Sequence, residues 1–509
     1  MSARIEVPCG ASVAPAATPS PATTAPACAF VVFGATGDLT RRKLMPAMYN
    51  LAAGGHLPDG FAMVGCARRA WSADEFRSQM RAGVAEFSRN KLEDATWTGL
   101  APRLDYVSGD FQDPATYERL RASLAAHDAA NGTGGNRLFY LAVPPDEFPP
   151  ILEGLRAAGL VSAPGSAAFT RVIVEKPFGR SLETAHALNT LVANVLDESQ
   201  TFRIDHYLGK ETVQNIMVFR FANSMFEPLW NRKYVDHVQI TAAETVGVGT
   251  RGKFYESTGV LRDIVQNHLL EVLSLCAMEP PNSGHADDVR GEKLKVLKAL
   301  RQPWSDTVPL DVVLGQYDGY RAEPDVAADS RTPTFAALRV FVDNWRWQGV
   351  PFYLRAGKGM AKRVTEVSFH MQPIPLSLFG SGDLCEHVEP NILTLRIQPE
   401  EGIQLSFSSK LPGHDFTVAP VVMDMKYAEA FGGDPPEAYE RLLLDAMRGD
   451  ATLFSRRDAV ETSWSWIQPI LDWYEDPARG APEPYARGSW GPAEADRLIQ
   501  RDRRQWRNP

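Results

Sequence analysis

The chain is short of cysteine and has no long apolar run. Its five cysteines, Cys9, Cys28, Cys66, Cys276 and Cys385, are odd in number, scattered, and form no C-x-x-C pair. That pattern argues against a disulfide framework and a cysteine-type zinc site, and it fits a reducing compartment. No stretch of about 18 apolar residues occurs, so no membrane-spanning helix and no membrane partner are expected. Residues 1–26 lack a charged segment followed by an apolar core. They do not read as a secretory signal, and the expected location is the cytoplasm. Positive charge is also in deficit, with 53 Lys+Arg against 62 Asp+Glu and a net charge of −9. Overall charge therefore cannot grip a nucleic acid, although a few local cations can still hold a small anionic ligand.

What is present has the balance of a folded chain. The 509 residues are 44% hydrophobic and 23% charged, enough to bury several cores without metal or disulfide staples. Length alone suggests about two to four domains. Residues 8–27, PCGASVAPAATPSPATTAPA, are almost entirely Ala, Pro, Ser and Thr. Such a segment buries too little apolar surface to offset its ordering entropy, so residues 1–27 are expected to be a disordered tail.

From Cys28 the texture changes. Cys28–Phe33 is a short apolar, β-branched run ended by Gly34, the pattern of a buried strand. Further strands are expected at 61–66, 137–143 and 171–175. Helices are expected at 39–53, bent near Pro46, and at 73–89, 114–128 and 181–196. The alternation predicts a parallel, helix-covered sheet over 28–205. Beyond 206, a helix at 259–279 precedes alternating runs at 336–342, 364–370 and 392–397, with more helix at 436–448 and 456–475. The expected class is an α/β Rossmann-type dinucleotide-binding domain (28–205), followed by an α+β domain (206–509) with a large, mostly antiparallel sheet. Residues from about 476 onward are expected to be peripheral, being polar and rich in Pro and Gly.

Three motifs carry chemistry. Gly34-Ala35-Thr36-Gly37-Asp38-Leu39 lies between the first strand and a helix. Glycines there let the backbone approach a pyrophosphate, and the helix start offers free N–H groups. The spacing is GxxG rather than GxGxxG, so the generic fingerprint is met only in part. The second strand runs into Ala67-Arg68-Arg69, where an NAD site would place an acid. Two guanidiniums instead favour the 2′-phosphate of NADP. Glu175-Lys176-Pro177 follows another strand, at the end where doubly wound folds bind ligands. A cis bond before Pro177 would aim Lys176 into that crevice. Finally, Asp205, His206, Tyr207 and Lys210 are packed into RIDHYLGKE at 203–211. The last three can each donate to a phosphate, and a helix starting there would put His206 and Lys210 on one face.

With these motifs the chain closely resembles the glucose-6-phosphate dehydrogenase family. The resemblance rests on GATGDLTRRKL at 34–44, EKPFG at 175–179, RIDHYLGKE at 203–211 and RDIVQNHLLEVL at 262–273. NRKYVDHVQITAAE at 231–244, VPFYLRAGKGMAKR at 350–363, KLPG at 410–413 and YERLLLDAMRGD at 439–450 reinforce it. It implies oxidation of glucose 6-phosphate at C1 to the lactone, with NADP⁺ as hydride acceptor. On this resemblance His268 is the base and Asp205 its orienting carboxylate. By its residues alone, His268 would pass for a core histidine on the stripe Leu261, Ile264, Val265, Val272 and Leu275.

The resemblance also implies His206, Tyr207 and Lys210 on the substrate phosphate. It places Lys176 on the sugar, near the nicotinamide. Glu244, Asp263 and Lys358 fall on sugar hydroxyls, with Lys362 or Arg363 nearby. Gly34, Thr36, Gly37, Asp38 and Leu39 form the pyrophosphate loop, and Arg68, with Arg69 beside it, meets the 2′-phosphate. No metal is expected; a homodimer or homotetramer is. A second, structural NADP site found in some members is not expected, because Gln404 and Ser406 follow Arg396-Ile397-Gln398-Pro399 where those members have Tyr and Lys. Two other readings stand beside this one. The nearer is another Rossmann-type NADP-dependent sugar oxidoreductase. The more distant is a catalytically silent relative, which the presence of Lys176, Asp205 and His268 disfavours.

Overall fold

The computed structural model describes residues 5–6, 24–376, 388–413, 418–432 and 436–509. Most of the expected tail, Cys9 and Cys385 lie outside these residues. Ile5–Glu6 forms a two-residue strand, β1. Ala25 is buried, and its N–H donates to the His56 carbonyl at 3.0 Å.

The first sheet is built from β2 (Cys28–Phe33), β3 (Phe61–Ala67), β4 (Leu104–Ser108), β5 (Arg137–Leu141), β6 (Thr170–Val174) and β7 (Thr201–Ile204). All six are parallel, in the order β4-β3-β2-β5-β6-β7. This is the doubly wound dinucleotide-binding order, with its topological switch between β2 and β5. β2 and β3 are buried along their whole length, as their unbroken apolar runs require of a sheet covered on both faces. The covering helices begin and end on local signals. Ser72 caps Ala73–Phe87 in a reciprocal capping box with Glu75. Asp113 and Pro114 open Pro114–Asn131, and Gly132 closes it in the left-handed conformation. The expected bend near Pro46 is a π-turn, Thr40–Leu44, leading into Met45–Ala53 with Pro46 in its first turn.

The second sheet comprises β8 (Val235–Ala243), β9 (Val312–Tyr317), β10 (Phe335–Phe341), β11 (Pro351–Gly357), β12 (Val364–Met371), β13 (Ile392–Gln398), β14 (Gly402–Lys410) and β15 (Val418–Lys426). A two-residue strand, β16 (Phe454–Ser455), returns to pair antiparallel with β7. With β1 and β17 (Glu483–Tyr485), the large sheet has ten strands in the order β1-β15-β14-β13-β12-β8-β11-β10-β9-β17. It is mostly antiparallel, as expected. The exceptions are β8 with β11 and the two edge pairings. The β8–β11 exception matters, because parallel neighbours end side by side.

The C-terminal segment departs from its expected peripheral place. β17 joins the sheet edge beside β9, and the helix Ala493–Gln500 buries Ala495, Leu498 and Ile499. Trp506 is buried against Ala495, and Arg507 donates to Glu366 at 2.8 Å and to Gln404 at 3.0 Å. Widely spaced aromatics, Tyr485 and Trp506, anchor a segment whose average composition is polar.

Glu440, on the helix Ala438–Arg448, ties the two sheets' halves together. Its buried carboxylate accepts from Asn50 at 2.9 Å and from Arg89 at 2.7 and 2.9 Å. Removing one partner of a buried ion pair typically costs about 3 kcal/mol or more. Glu440→Ala is therefore expected to lower the urea midpoint measurably, with activity and fluorescence lost together.

Candidate active site

The glycine loop follows β2 at the switch point. Gly34 has φ +85°, and a Cβ there would sit 2.2 Å from the Ala142 carbonyl oxygen at the end of β5. Only glycine fits, and the result is a bare backbone cradle of the kind a pyrophosphate needs. Gly37 N–H donates to Gly34 O at 2.9 Å, and the Thr40 hydroxyl to the same oxygen at 3.4 Å. Arg68 projects from beyond β3 over the Phe111 ring, and Arg69 stands over Trp71. Arg68 is not a bare cation: it pairs with Glu147 and lies 3.6 Å from Asp110. The absence of an acid at the strand's end did not reveal these two carboxylates, which arrive from other loops.

The second cluster forms where β6 and β7 end against a helix from the other half. Asp205, just past β7, accepts from His268 Nδ1 at 2.6 Å and from the Tyr207 N–H at 2.8 Å. Lys176, after β6, reaches His268 Nε2 at 2.6 Å, the Asp263 carbonyl at 3.0 Å and its carboxylate at 3.4 Å. The Lys176–Pro177 bond is cis. These contacts define one tautomer of His268. Nε2 accepts from an ammonium, so Nδ1 carries the proton given to Asp205. Burial, followed by the nearby Lys176 charge, holds the imidazole well below its ordinary pKa. It is therefore neutral, with the lone pair a base requires. Burial pushes the Asp205 carboxyl upward, against the neighbouring His206 ring, the charges of Lys176 and Lys293 and the Tyr207 N–H. Burial also raises Asp263, but Lys176 and Lys358 outweigh it and bring that carboxyl down to about 2.

The helix bearing His268 is not a regular α-helix. Gly259 breaks it with φ 59°, and Leu261–Leu269 is π-helical before Leu270–Ala277 resumes the α form. In an α-helix, residues five apart diverge by about 140°. In a π-turn, i to i+5 bonds stack them, a geometry frequent at functional sites. Asp263 and His268 are five apart, so both face Lys176. The RIDHYLGK segment also differs from expectation. It is a succession of turns, with Leu208 N–H on Asp205 O and Lys210 N–H on Tyr207 O, and the helix begins at Glu211. His206 and Lys210 therefore share no helical face.

Tyr207 stacks on His268, with ring centres 4.2 Å apart, and His206 meets the same ring edge-on at 4.6 Å. Lys210 donates to Gln398 Oε1, whose amide in turn donates to Thr365 at 2.9 Å. Burial brings the Lys210 ammonium down to about 8. Because β8 and β11 run parallel in register, Glu244 and Lys358 emerge together and pair at 2.7 Å. Lys362 is exposed and lines a groove with Arg396, His370 and Gln398, the partner of Lys210. Tyr439 and Gln398 were not candidates. Tyr439 lies in YERLLLDAMRGD and its ring is parallel to His206, but nothing local signals that reach. Asp205, His206 and His268 also bring potential metal-ligand atoms within 4.8 Å of one another, although Asp205 and His268 are committed to each other.

A doubly wound nucleotide fold, a glycine cradle at its switch point and a carboxylate-oriented neutral histidine beside a lysine define a dinucleotide-dependent oxidoreductase. Comparison with known proteins narrows this. The family model "Glucose-6-phosphate dehydrogenase, NAD binding domain" matches residues 31–215, and "Glucose-6-phosphate dehydrogenase, C-terminal domain" matches 217–507. The chain belongs to the glucose-6-phosphate dehydrogenase family. The glucose-6-phosphate 1-dehydrogenase of Chlamydia pneumoniae is 46% identical, over 95% of this chain and 96% of its own. That of Mycolicibacterium smegmatis is 44% identical, over 96% and 98%. A solved structure of a family member in complex with its substrate glucose 6-phosphate superposes with a TM-score of 0.86 at 33% identity, covering 96% of this chain and 99% of the other. The crystal structure of the Mycobacterium avium enzyme gives 0.81 at 38%, covering 95% and 99%.

Two outcomes follow. If Arg68 takes the 2′-phosphate, that phosphate must compete with Glu147, so Glu147→Gln is expected to lower the KM for NADP⁺ severalfold in steady-state assays, with kcat unchanged. If Lys210 binds the phosphate of the sugar, it must do so charged. As its ammonium titrates near about 8, kcat/KM for the phosphosugar should fall above that pH. The bound dianion holds the proton on, so kcat should fall only at higher pH. Lys210→Arg should move the fall in kcat/KM upward.

Proposed function

We propose that His268 is the base that takes the C1 hydroxyl proton of D-glucose 6-phosphate, with Asp205 as its orienting carboxylate. The enzyme is a glucose-6-phosphate dehydrogenase that oxidises its substrate at C1 to 6-phospho-D-glucono-1,5-lactone and reduces NADP⁺, the first oxidative step of the pentose phosphate pathway. The observation that carries the assignment is the 2.6 Å bond from His268 Nδ1 to Asp205, which leaves Nε2 as the lone pair facing Lys176. On this reading the C1 hydroxyl takes the place of Lys176 at Nε2, and Lys176 turns its N–H groups to a sugar oxygen. The hydroxyl proton moves to Nε2, and the imidazolium so formed is stabilised by Asp205. NADP⁺, when bound, supplies the acceptor for the hydride that leaves C1.

The remaining assignments follow the same logic. His206, Tyr207 and Lys210 hold the 6-phosphate. Glu244, Asp263 and Lys358 hold ring hydroxyls, and Lys362 assists nearby. Gly34, Thr36, Gly37, Asp38 and Leu39 cradle the pyrophosphate of NADP, with Arg68 and Arg69 at its 2′-phosphate. Residues 28–205 are the cofactor half and 206–509 the substrate half. The large sheet is the subunit contact of a cytoplasmic homodimer or homotetramer. Among the described residues, no helix is long and apolar enough to cross a membrane.

The test is NADPH formation from purified protein. His268→Asn is expected to cut kcat by on the order of 10³-fold or more, with KM for glucose 6-phosphate within a few-fold. Near-normal kcat in that variant would remove His268 from the role of base. Lys210→Ala should raise the KM for glucose 6-phosphate. It should leave any turnover of unphosphorylated glucose unaffected, and equal effects on both sugars would refute the phosphate assignment.

A further inference from the structure

The Glu-Lys-Pro motif contributes Lys176 to the site, yet Glu175 has so far no part in it. Its surroundings are specific. Glu175 Oε1 accepts from the Tyr140 hydroxyl at 2.5 Å and from the Tyr439 hydroxyl at 3.1 Å. Oε2 accepts from the backbone N–H of Lys176 at 3.3 Å. The two tyrosines come from opposite halves of the molecule. Tyr140 is on β5, fully buried, with its ring edge-on to Phe30. Tyr439 is on the helix Ala438–Arg448, one residue before the cross-half carboxylate Glu440. The Tyr439 ring also lies parallel to His206. Glu175 itself lines a small cavity together with Lys176, Arg203 and Asp205.

We propose that Glu175 is a positioning residue for Lys176: its carboxylate, gripped by one tyrosine from each half, sets the end of β6 so that the lysine ammonium meets His268 and the sugar. The proposal rests on the roles given above to Lys176 and His268. Its physical basis is donor–acceptor matching. Two hydroxyls and one N–H converge on this side chain, and a carboxylate offers acceptors only. An amide would present an N–H to one of these donors and turn it away. Because the Oε2 contact is to the backbone of Lys176, freeing the carboxylate frees the base of the lysine rather than its tip. Tyr439 makes this a coupling between the halves, since a shift of the substrate half relative to the nucleotide sheet is felt at Lys176 through one shared oxygen. Positional errors of about 1 Å at a reacting centre can cost about 10²-fold in rate.

The experiment uses the full-length enzyme with glucose 6-phosphate and NADP⁺, measuring kcat, both KM values and thermal unfolding for Glu175→Gln, Tyr140→Phe and the double variant. Tyr140 is fully buried, and Tyr140→Phe removes only the hydroxyl that Glu175 accepts. Each single variant is expected to lower kcat by about tenfold. KM for NADP⁺ should stay within twofold and the unfolding midpoint within a few degrees. The double variant should be scarcely worse than Glu175→Gln alone, because Tyr140 acts through that carboxylate. Folded variants with kcat within twofold of the parent overturn the proposal, as does a kcat loss that merely tracks loss of folded enzyme. If Glu175→Gln does not fold, Tyr140→Phe decides by the same criteria. His268→Asn in parallel separates the two readings: if it too leaves kcat intact, the site assignment has failed rather than this coupling.

Discussion

The buried hydrogen bond between Asp205 and His268 is the constraint on which the rest of this molecule depends. One partner hangs from the last parallel strand of the nucleotide sheet. The other sits on a helix that packs across β8 and β11 of the large sheet. A carboxylate taken out of water costs several kcal/mol unless hydrogen bonds and cations compensate. Here the compensation comes from both halves: the imidazole N–H, the Tyr207 amide, and the charges of Lys176 and Lys293. The pair is therefore stable only when the two sheets are docked, and the cross-half contacts of Glu440 and Glu175 hold that docking. Structure and chemistry use one interaction, since the bond that orients the imidazole also joins the halves.

The charge balance has a similar local resolution. The chain is acidic overall, yet both of its ligands are anions. Four of the cations at the candidate sites already have polar partners. Arg68 is on Glu147, Lys358 on Glu244, Lys176 on Asp263 and His268, and Lys210 on Gln398. At these four, a ligand would exchange partners rather than meet bare charge. Such a site keeps its cations oriented and its lysines out of nonspecific contact with polyanions, while a phosphate or a sugar hydroxyl can still displace a weaker partner.

Much of this was legible locally. The apolar run Cys28–Phe33, the glycines after it, the Ser72 and Asp113 caps and the alternation of strand with helix are short-range signals, and they led to the doubly wound half. Leu104–Ser108 and Thr201–Ile204 were not singled out as strands, being short and mixed in polarity. The π-turn at Leu261–Leu269 was also missed. A hydrophobic stripe at helical spacing looks much the same in either helix, yet only the π form puts Asp263 beside His268. The C-terminal segment read as peripheral because its composition is polar, whereas Tyr485 donates to the Lys358 carbonyl at 2.6 Å and so supports the site from 127 residues away.

The sequence by itself determined which chemical groups are available and on which element each begins: the glycine loop after β2, the arginines after β3, the lysine after β6, and the acid, imidazole, phenol and ammonium after β7. These follow from periodicity, caps and breakers, which act over a few residues. Only the tertiary structure decided what each group meets. It brought Glu147 and Asp110 to Arg68, paired Glu244 with Lys358, laid Tyr439 against Glu175, and turned His268 from a residue on an apolar stripe into a neutral imidazole held by Asp205. Hydrogen bonding and desolvation are set by neighbours in space, and in this chain those neighbours are mostly many tens to hundreds of residues apart.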